Sequence, residues 1–164
     1  MLATDLATVG LMRDAAEPLP DIGDPAFGRF FDRFANSRVV LLGEATHGTS
    51  EFYRARAAIT RRLIEEHGFS IVAVEADWPD AASFDRYVRH KPAPAHAEPP
   101  FRRFPTWMWR NTEVETFIEQ LRKWNLERPI ERRAGFYGLD LYNLSGSIRA
   151  VLDYLDRVDP EAAE

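Results

Sequence analysis

Short apolar runs alternate along this chain with longer stretches in which apolar positions recur every three or four residues. Residues 38–43, 71–75 and 134–139 have the length and the flanking turn residues of buried strands. The stretches between them have helical periodicity. Strands that alternate with helices pair in parallel through helical crossovers. The pattern predicts an α/β fold whose parallel sheet has three strands in this chain.

Turn residues predict where several helices begin and end. Asp24 followed by Pro25 is typical of a helix start, with a capping side chain and a proline at the first helical position. Gly68 predicts the end of a helix over residues 50–66. We interpret residues 1–37 as a helical lead-in and 38–158 as the α/β core. The last helix is expected to turn four apolar residues inward: Ile148, Val151, Leu152 and Leu155.

Composition narrows the classes of function. The 164 residues suit one globular domain, with 45% hydrophobic and 29% charged residues. Lys and Arg number 21 against 26 Asp and Glu, a net charge of -5, which argues against binding to a phosphate backbone. The lack of cysteine excludes disulfides and thiolate chemistry. The first residues show no signal sequence or membrane span, so we expect a cytoplasmic protein that binds neither nucleic acid nor membrane.

Every predicted strand ends in acidic residues. These are Glu44 at the first strand, Glu75 and Asp77 at the second and Asp140 at the third, while His47 lies three residues after Glu44. Parallel strands bring these ends to one edge of the sheet, where ligands bind in α/β folds. Like charges gathered there are costly unless they are paired or used. This edge is the predicted site, with Asp140 as a substrate-binding candidate.

An arginine can neutralise this edge. Arg56 lies on the apolar face of the predicted helix 50–66, whereas Arg54 points elsewhere. We expect Arg56 to face inward and contact Glu44 or Glu75. Taken alone, it could neutralise Glu75 without any chemistry.

The predicted group favours a hydrolase that uses water as its nucleophile. A histidine can take a proton from water, a carboxylate can fix its tautomer, and an arginine can stabilise negative charge. Ser50 lies at a helix start rather than in a nucleophile elbow. A metal-dependent hydrolase remains an alternative, although His47 is the one well-placed histidine.

A long irregular stretch, residues 91–105, holds five of the eleven prolines. It leads into an aromatic segment that includes Phe101, Phe104, Trp107 and Trp109. Loops of this length in compact domains are usually functional when they are ordered. We expect residues 91–110 to form a wall or lid over the catalytic edge, with Trp107 and Trp109 contacting substrate.

Four motifs in order are recognisable: GEATHGTSEF at 43–52, VEADWPD at 74–80, FPTWMWRN at 104–111 and GFYGLDLY at 135–142. Together they span most of residues 38–158, and the chain resembles the erythromycin esterase family. The resemblance implies an enzyme that opens a macrolide lactone ester with activated water, confers antibiotic resistance, and needs no metal or other cofactor. It also implies that His47 is the general base and that Glu44, Arg56 and Glu75 complete the catalytic group.

Members of this family are longer and carry a further active-site histidine downstream. The resemblance therefore covers the N-terminal part of the family's domain. We expect another chain or the C-terminal part of the domain to complete the sheet, because three strands alone would leave unpaired edges. Two functions stay open: an esterase acting on a small-molecule ester, and a truncated, non-catalytic remnant or binding module of the same fold.

Overall fold

The computed structural model describes residues 3–94, 99–103, 106–139 and 143–163. These residues form six helices and two strands, in the order α1 (Ala3–Ala15), α2 (Pro25–Arg29), α3 (Ser50–His67), β1 (Ile71–Val74), α4 (Trp78–Val88), α5 (Thr112–Leu126), β2 (Gly135–Gly138) and α6 (Leu144–Val158). Short 3-10 turns lie at Asp32–Phe34, Thr106–Met108, Ile130–Arg132 and Pro160–Ala163.

The local signals for helix ends are confirmed. Asp24 caps α2, since its carboxylate accepts a hydrogen bond of 2.7 Å from the Ala26 amide, and Pro25 is the first helical residue. Gly68 ends α3 in the left-handed conformation, with φ of 74°. A residue without Cβ adopts this conformation without strain.

β1 and β2 form a parallel sheet in which Ile71 lies opposite Gly135 and Val74 opposite Gly138. Both α4 and α5 lie in the connection between these strands, as a parallel pair requires. The α/β class with helical crossovers is therefore confirmed. The prediction of three strands is wrong for the described residues, which contain two.

Residues 38–43, predicted as the first strand, have no regular secondary structure. Val39 is 71% exposed and Leu41 is 90% exposed, so the apolar run is not buried as a central strand would be. Val40, Leu42 and β1 instead line a common cavity. Because a strand exists only when a neighbour satisfies its backbone groups, the space between this segment and β1 explains the missing strand.

The main core lies between the sheet and helices α3, α4 and α5. Phe136, Val88 and Ile118 are almost fully buried there. Asn125, with no exposed surface, donates to the carbonyls of Val88 and Ala134, each at 2.9 Å. These bonds join the ends of α4 and α5 to the residue before β2, which fixes the strand against both helices.

The predicted inward face of α6 is wrong. Ile148 is 51% exposed, Val151 47% and Leu152 38%, and Leu155 is only partly buried. The buried residue of this helix is Ser147. The apolar spacing indicates a face that is suited to burial, but no described element of the chain covers it.

Candidate active site

A cavity of about 590 Å³ lies beside β1, within the roughly 300–1,000 Å³ range of small-molecule sites. Its walls are the segment 40–44, α3, β1 with Glu75, and the start of α5. The charged residues in the lining are Glu44, His47, Arg56, Glu75 and Glu113. The cavity thus brings four of the predicted catalytic residues to one place.

Glu44 is the centre of this group. One of its carboxylate oxygens, Oε1, bonds to Nδ1 of His47, and the other, Oε2, lies 2.9 Å from Nη2 of Arg56. The Glu44 side chain is 15% exposed, against 45% for His47. An ionised carboxylate only accepts hydrogen bonds, so the His47 proton resides on Nδ1. With this tautomer the basic lone pair is on Nε2.

The turn before α3 places the imidazole. Gly48 has φ of +78°, and a Cβ at this position would lie 3.1 Å from a ring carbon of Trp107. Both the conformation and the close approach favour glycine. The hydroxyls of Thr46 and Thr49 are hydrogen-bonded at 2.6 Å, and α3 begins at Ser50. The chain therefore turns sharply at His47 and enters the helix that carries Arg56.

The helical phase predicted for the two arginines is confirmed. Arg56 faces the cavity and pairs with Glu44, whereas Arg54 is exposed. Glu75 is exposed and lines the same cavity from the end of β1. Asp140 lies outside the described residues, so its predicted place in the site stays a prediction.

The predicted wall of residues 91–110 is confirmed only in part, because the described residues 91–94 and 99–103 are absent from the cavity lining. The ring of Trp107 lies 6.4 Å from that of His47, and Met108 and Trp109 line the cavity. Phe101 is 5% exposed and packs against Trp109, with ring centroids 5.7 Å apart. Phe101 is therefore a core residue rather than part of the mouth, and Phe104 lies outside the described residues.

Tyr53 and Glu113 line the cavity but were not predicted as site residues from the sequence. Tyr53 is 9% exposed; burial raises the pKa of its phenol, and a backbone hydrogen bond from Gly48 opposes that shift. Glu113 accepts a hydrogen bond of 2.6 Å from the Ser50 hydroxyl, which lowers the pKa of the carboxylate. Tyr53 lies three residues before Arg56, a spacing that puts both on one helical face. This spacing in the sequence could have identified Tyr53 as a cavity residue.

The described residues contain no group of three histidine or acidic side chains arranged to hold a metal ion. Among those same residues, no helix is both long and apolar enough to cross a membrane.

Comparison with known proteins places this chain in a family. A family model described as "Erythromycin esterase" matches residues 64–164, a stretch that begins after His47, Glu44 and Arg56. The chain is 26% identical over 131 residues to "Erythromycin esterase type II" of Escherichia coli, covering 77% of this chain and 30% of that protein. It is also 26% identical over 129 residues to "Putative hydrolase YbfO" of Bacillus subtilis (strain 168), covering 77% of this chain and 27% of that protein.

The chain thus spans about 30% of the length of the E. coli relative. A solved structure, described as that of a succinoglycan biosynthesis protein, superposes with a TM-score of 0.71 at 24% identity. The match covers 99% of this chain and 41% of that one, and at this identity it shows a shared fold. Because the family model matches more than half of the chain, the chain belongs to the erythromycin esterase family.

Proposed function

We propose that this chain forms the part of an ester-hydrolysing site that activates water, with His47 as the general base. The observation that carries this proposal is the arrangement of Glu44 between His47 and Arg56 at a cavity of about 590 Å³. A base with a fixed tautomer, next to a space that admits substrate, is what general-base catalysis requires.

In the proposed reaction, Nε2 of His47 removes a proton from water as the water oxygen bonds to the ester carbonyl carbon. The carbonyl π electrons move onto oxygen, which gives a tetrahedral oxyanion. The intermediate then expels the alkoxide, which takes the proton from the imidazolium. Water is consumed, and one carboxylic acid and one alcohol are formed.

Glu44 and Arg56 support His47 in this reaction. The Glu44 carboxylate holds the proton on Nδ1 and stabilises the imidazolium once it forms. Arg56, 2.9 Å from the second oxygen, orients that carboxylate and offsets its charge. Glu75 lines the same cavity and is proposed to complete the catalytic group.

The substrate class is proposed from the lining of the cavity and from the family. Leu42, Val74, Met108 and Trp109 give the cavity apolar walls, which suit a large, mostly hydrophobic ester. A macrolide lactone is such an ester, and the E. coli relative is named as an erythromycin esterase. Trp107, beside His47, and Asp140 are the other proposed substrate contacts.

Hydrolysis in ¹⁸O-labelled water tests the proposal. The purified chain is incubated with p-nitrophenyl butyrate and, separately, with a 14-membered macrolide lactone, and the acid product is analysed by mass spectrometry. A single ¹⁸O in the carboxylate of each product, with turnover unchanged by EDTA, supports metal-free attack by water. Turnover that EDTA abolishes and zinc restores would instead favour a metal-dependent hydrolase.

A non-catalytic binding module is the second candidate. Its support is that the chain spans about 30% of the E. coli relative, while Leu41 and α6 expose large apolar side chains. On this proposal another chain, or the C-terminal part of the family's domain, covers these surfaces. Binding of a macrolide without any turnover would favour the module over the enzyme.

A further inference from the structure

Tyr53 occupies a position in the cavity that the proposed reaction has not yet used. It lies in the first turns of α3, is 9% exposed and lines the cavity beside His47 and Arg56. The guanidinium carbon of Arg56 lies 5.5 Å from the centroid of its ring, within the range of a cation–π contact. This contact holds the Tyr53 ring next to the guanidinium group of Arg56.

The reaction requires a hydrogen-bond donor for the oxyanion, since stabilisation of this charge is commonly the largest contribution to catalysis. Arg56 is already engaged with Glu44 at 2.9 Å. The cavity lining includes two hydroxyl side chains, those of Tyr53 and Thr60. Thr60 lies ~10 Å further along the helix axis, at 1.5 Å per residue, away from the His47 end. Tyr53 is therefore the better placed of the two hydroxyls.

The surroundings of the phenol leave it protonated and able to donate. Burial is the largest influence and raises the pKa of Tyr53, and the charge of Glu44 acts in the same direction. The Gly48 backbone and the Asn111 side chain act in the opposite direction, but the raised pKa shows that burial outweighs them. A neutral phenol carries one O–H that can donate to an acceptor in the cavity.

We propose that the Tyr53 hydroxyl donates a hydrogen bond to the oxyanion of the tetrahedral intermediate, a role that rests on the proposed reaction at His47. No proton is transferred in this step. The carbonyl electron pair resides on the oxygen that faces Tyr53 and returns to carbon when the alkoxide leaves. Tyr53 lines the same cavity as His47 and Arg56, which puts its side chain in the candidate site.

The test compares Tyr53→Phe with Tyr87→Phe. The first variant keeps the ring beneath Arg56 and removes only the hydroxyl. The second removes a hydroxyl that bonds to Glu119 at 2.6 Å, away from the cavity lining. With p-nitrophenyl butyrate, we expect Tyr53→Phe to lower kcat by ~10²–10³-fold, the usual effect of losing one oxyanion donor, with KM changed less than threefold. Tyr87→Phe should match the wild type, and a kcat for Tyr53→Phe within threefold of wild type overturns the proposal.

A binding experiment separates this proposal from the proposed function. Butyl methylphosphonate has a tetrahedral anionic centre that resembles the intermediate, and its Kd is measured by calorimetry whether or not the chain turns over ester. Binding weakened tenfold or more in Tyr53→Phe, but not in Tyr87→Phe, supports Tyr53 as the donor even if hydrolysis fails. Equal binding by wild type and Tyr53→Phe, or no binding by the wild type, overturns it.

A measurement on the wild type avoids any effect of the substitution on folding. In protein labelled with ¹³Cζ-tyrosine, the phosphonate should shift the Tyr53 resonance and leave that of Tyr87 in place. A Tyr53 resonance that stays unchanged when the cavity is saturated contradicts the proposal.

Discussion

Arg56 lies 2.9 Å from Oε2 of Glu44, the carboxylate oxygen that His47 leaves free. The carboxylate thus connects an arginine on α3 to an imidazole on the turn before that helix. Each of its oxygens has a cationic or hydrogen-bonding partner, which lowers the cost of holding a largely buried charge beside the cavity.

Arg56→Ala should lower kcat for ester hydrolysis by ~10–100-fold. The expected loss lies between the small contribution of an exposed ion pair and the larger cost of breaking a buried one, and each 1.4 kcal/mol corresponds to a tenfold change in rate. Arg54→Ala is the matched control, because Arg54 is exposed on the same helix. The measurement is the steady-state kcat of both variants. An equal decrease in kcat in Arg56→Ala and Arg54→Ala would show that the contact between Arg56 and Glu44 has no specific role.

Glu44→Gln should be more damaging than Arg56→Ala. The glutamine amide can donate to Nδ1 of His47, which moves the imidazole proton to Nε2 and blocks the base. We expect kcat to fall by ~10³-fold or more, since a wrong tautomer in a comparable triad costs about 10⁴. Thermal unfolding serves as the control for folding. A kcat within tenfold of wild type for a folded variant would refute the assigned tautomer.

Asp32 is expected to make stability depend on pH in the acidic range. Hydrogen bonds from Arg62 and then His67 hold the pKa of Asp32 well below its ordinary value of 3.8. Because the folded-state pKa is depressed, this stabilisation is present at neutral pH and is lost as the pH falls below about 4. Asp32→Asn should therefore lower the melting temperature by ~2–4 °C at pH 7 and by less at pH 3.

Glu66→Gln is the control for Asp32→Asn. Glu66 also lies near Arg62, at 3.5 Å, but its side chain is 54% exposed, and exposed pairs contribute little. Melting temperatures of both variants from pH 3 to pH 7 provide the measurement. A difference between Asp32→Asn and wild type that grows as the pH falls would contradict the expected sign.

The apolar face of α6 should bind a hydrophobic dye. Ile148 and Leu152 are 51% and 38% exposed, and contiguous apolar surface of this kind is uncommon on monomers. The double variant Ile148→Glu, Leu152→Glu should lower the fluorescence of bound ANS at least twofold, whereas Arg149→Glu, an exposed charge on the same helix, should leave it unchanged. Equal fluorescence in all three proteins would mean that the face is covered in solution.

The sequence predicts local features of this fold well. The capping of α2 by Asp24, the end of α3 at Gly68 and the inward phase of Arg56 depend on a few neighbouring residues. These three predictions were correct because they need no information about distant parts of the chain. The convergence of Glu44 and Glu75 on one cavity was also predictable, although the strand expected before Glu44 is missing.

Features that depend on distant partners could not be predicted in the same way. The apolar spacing of Leu41 and Ile148 shows that these residues are suited to burial, but not whether anything covers them. Tyr53 was missed because an aromatic residue on an apolar helical face is usually part of the core. Only its position in the cavity lining beside His47 and Arg56 distinguishes it from an ordinary core residue.

The role of His47 as the general base is tested by comparing His47→Gln with His67→Gln. Both histidines bond to a carboxylate, His47 to Glu44 and His67 to Asp32 at 2.7 Å, but of the two only His47 lines the cavity. With p-nitrophenyl butyrate at a temperature where both variants are folded, His47→Gln should lower kcat/KM by ~100-fold or more, as expected for loss of a general base. His67→Gln should stay within threefold of wild type. A folded His47→Gln variant with wild-type kcat/KM would contradict the central claim that His47 activates the attacking water.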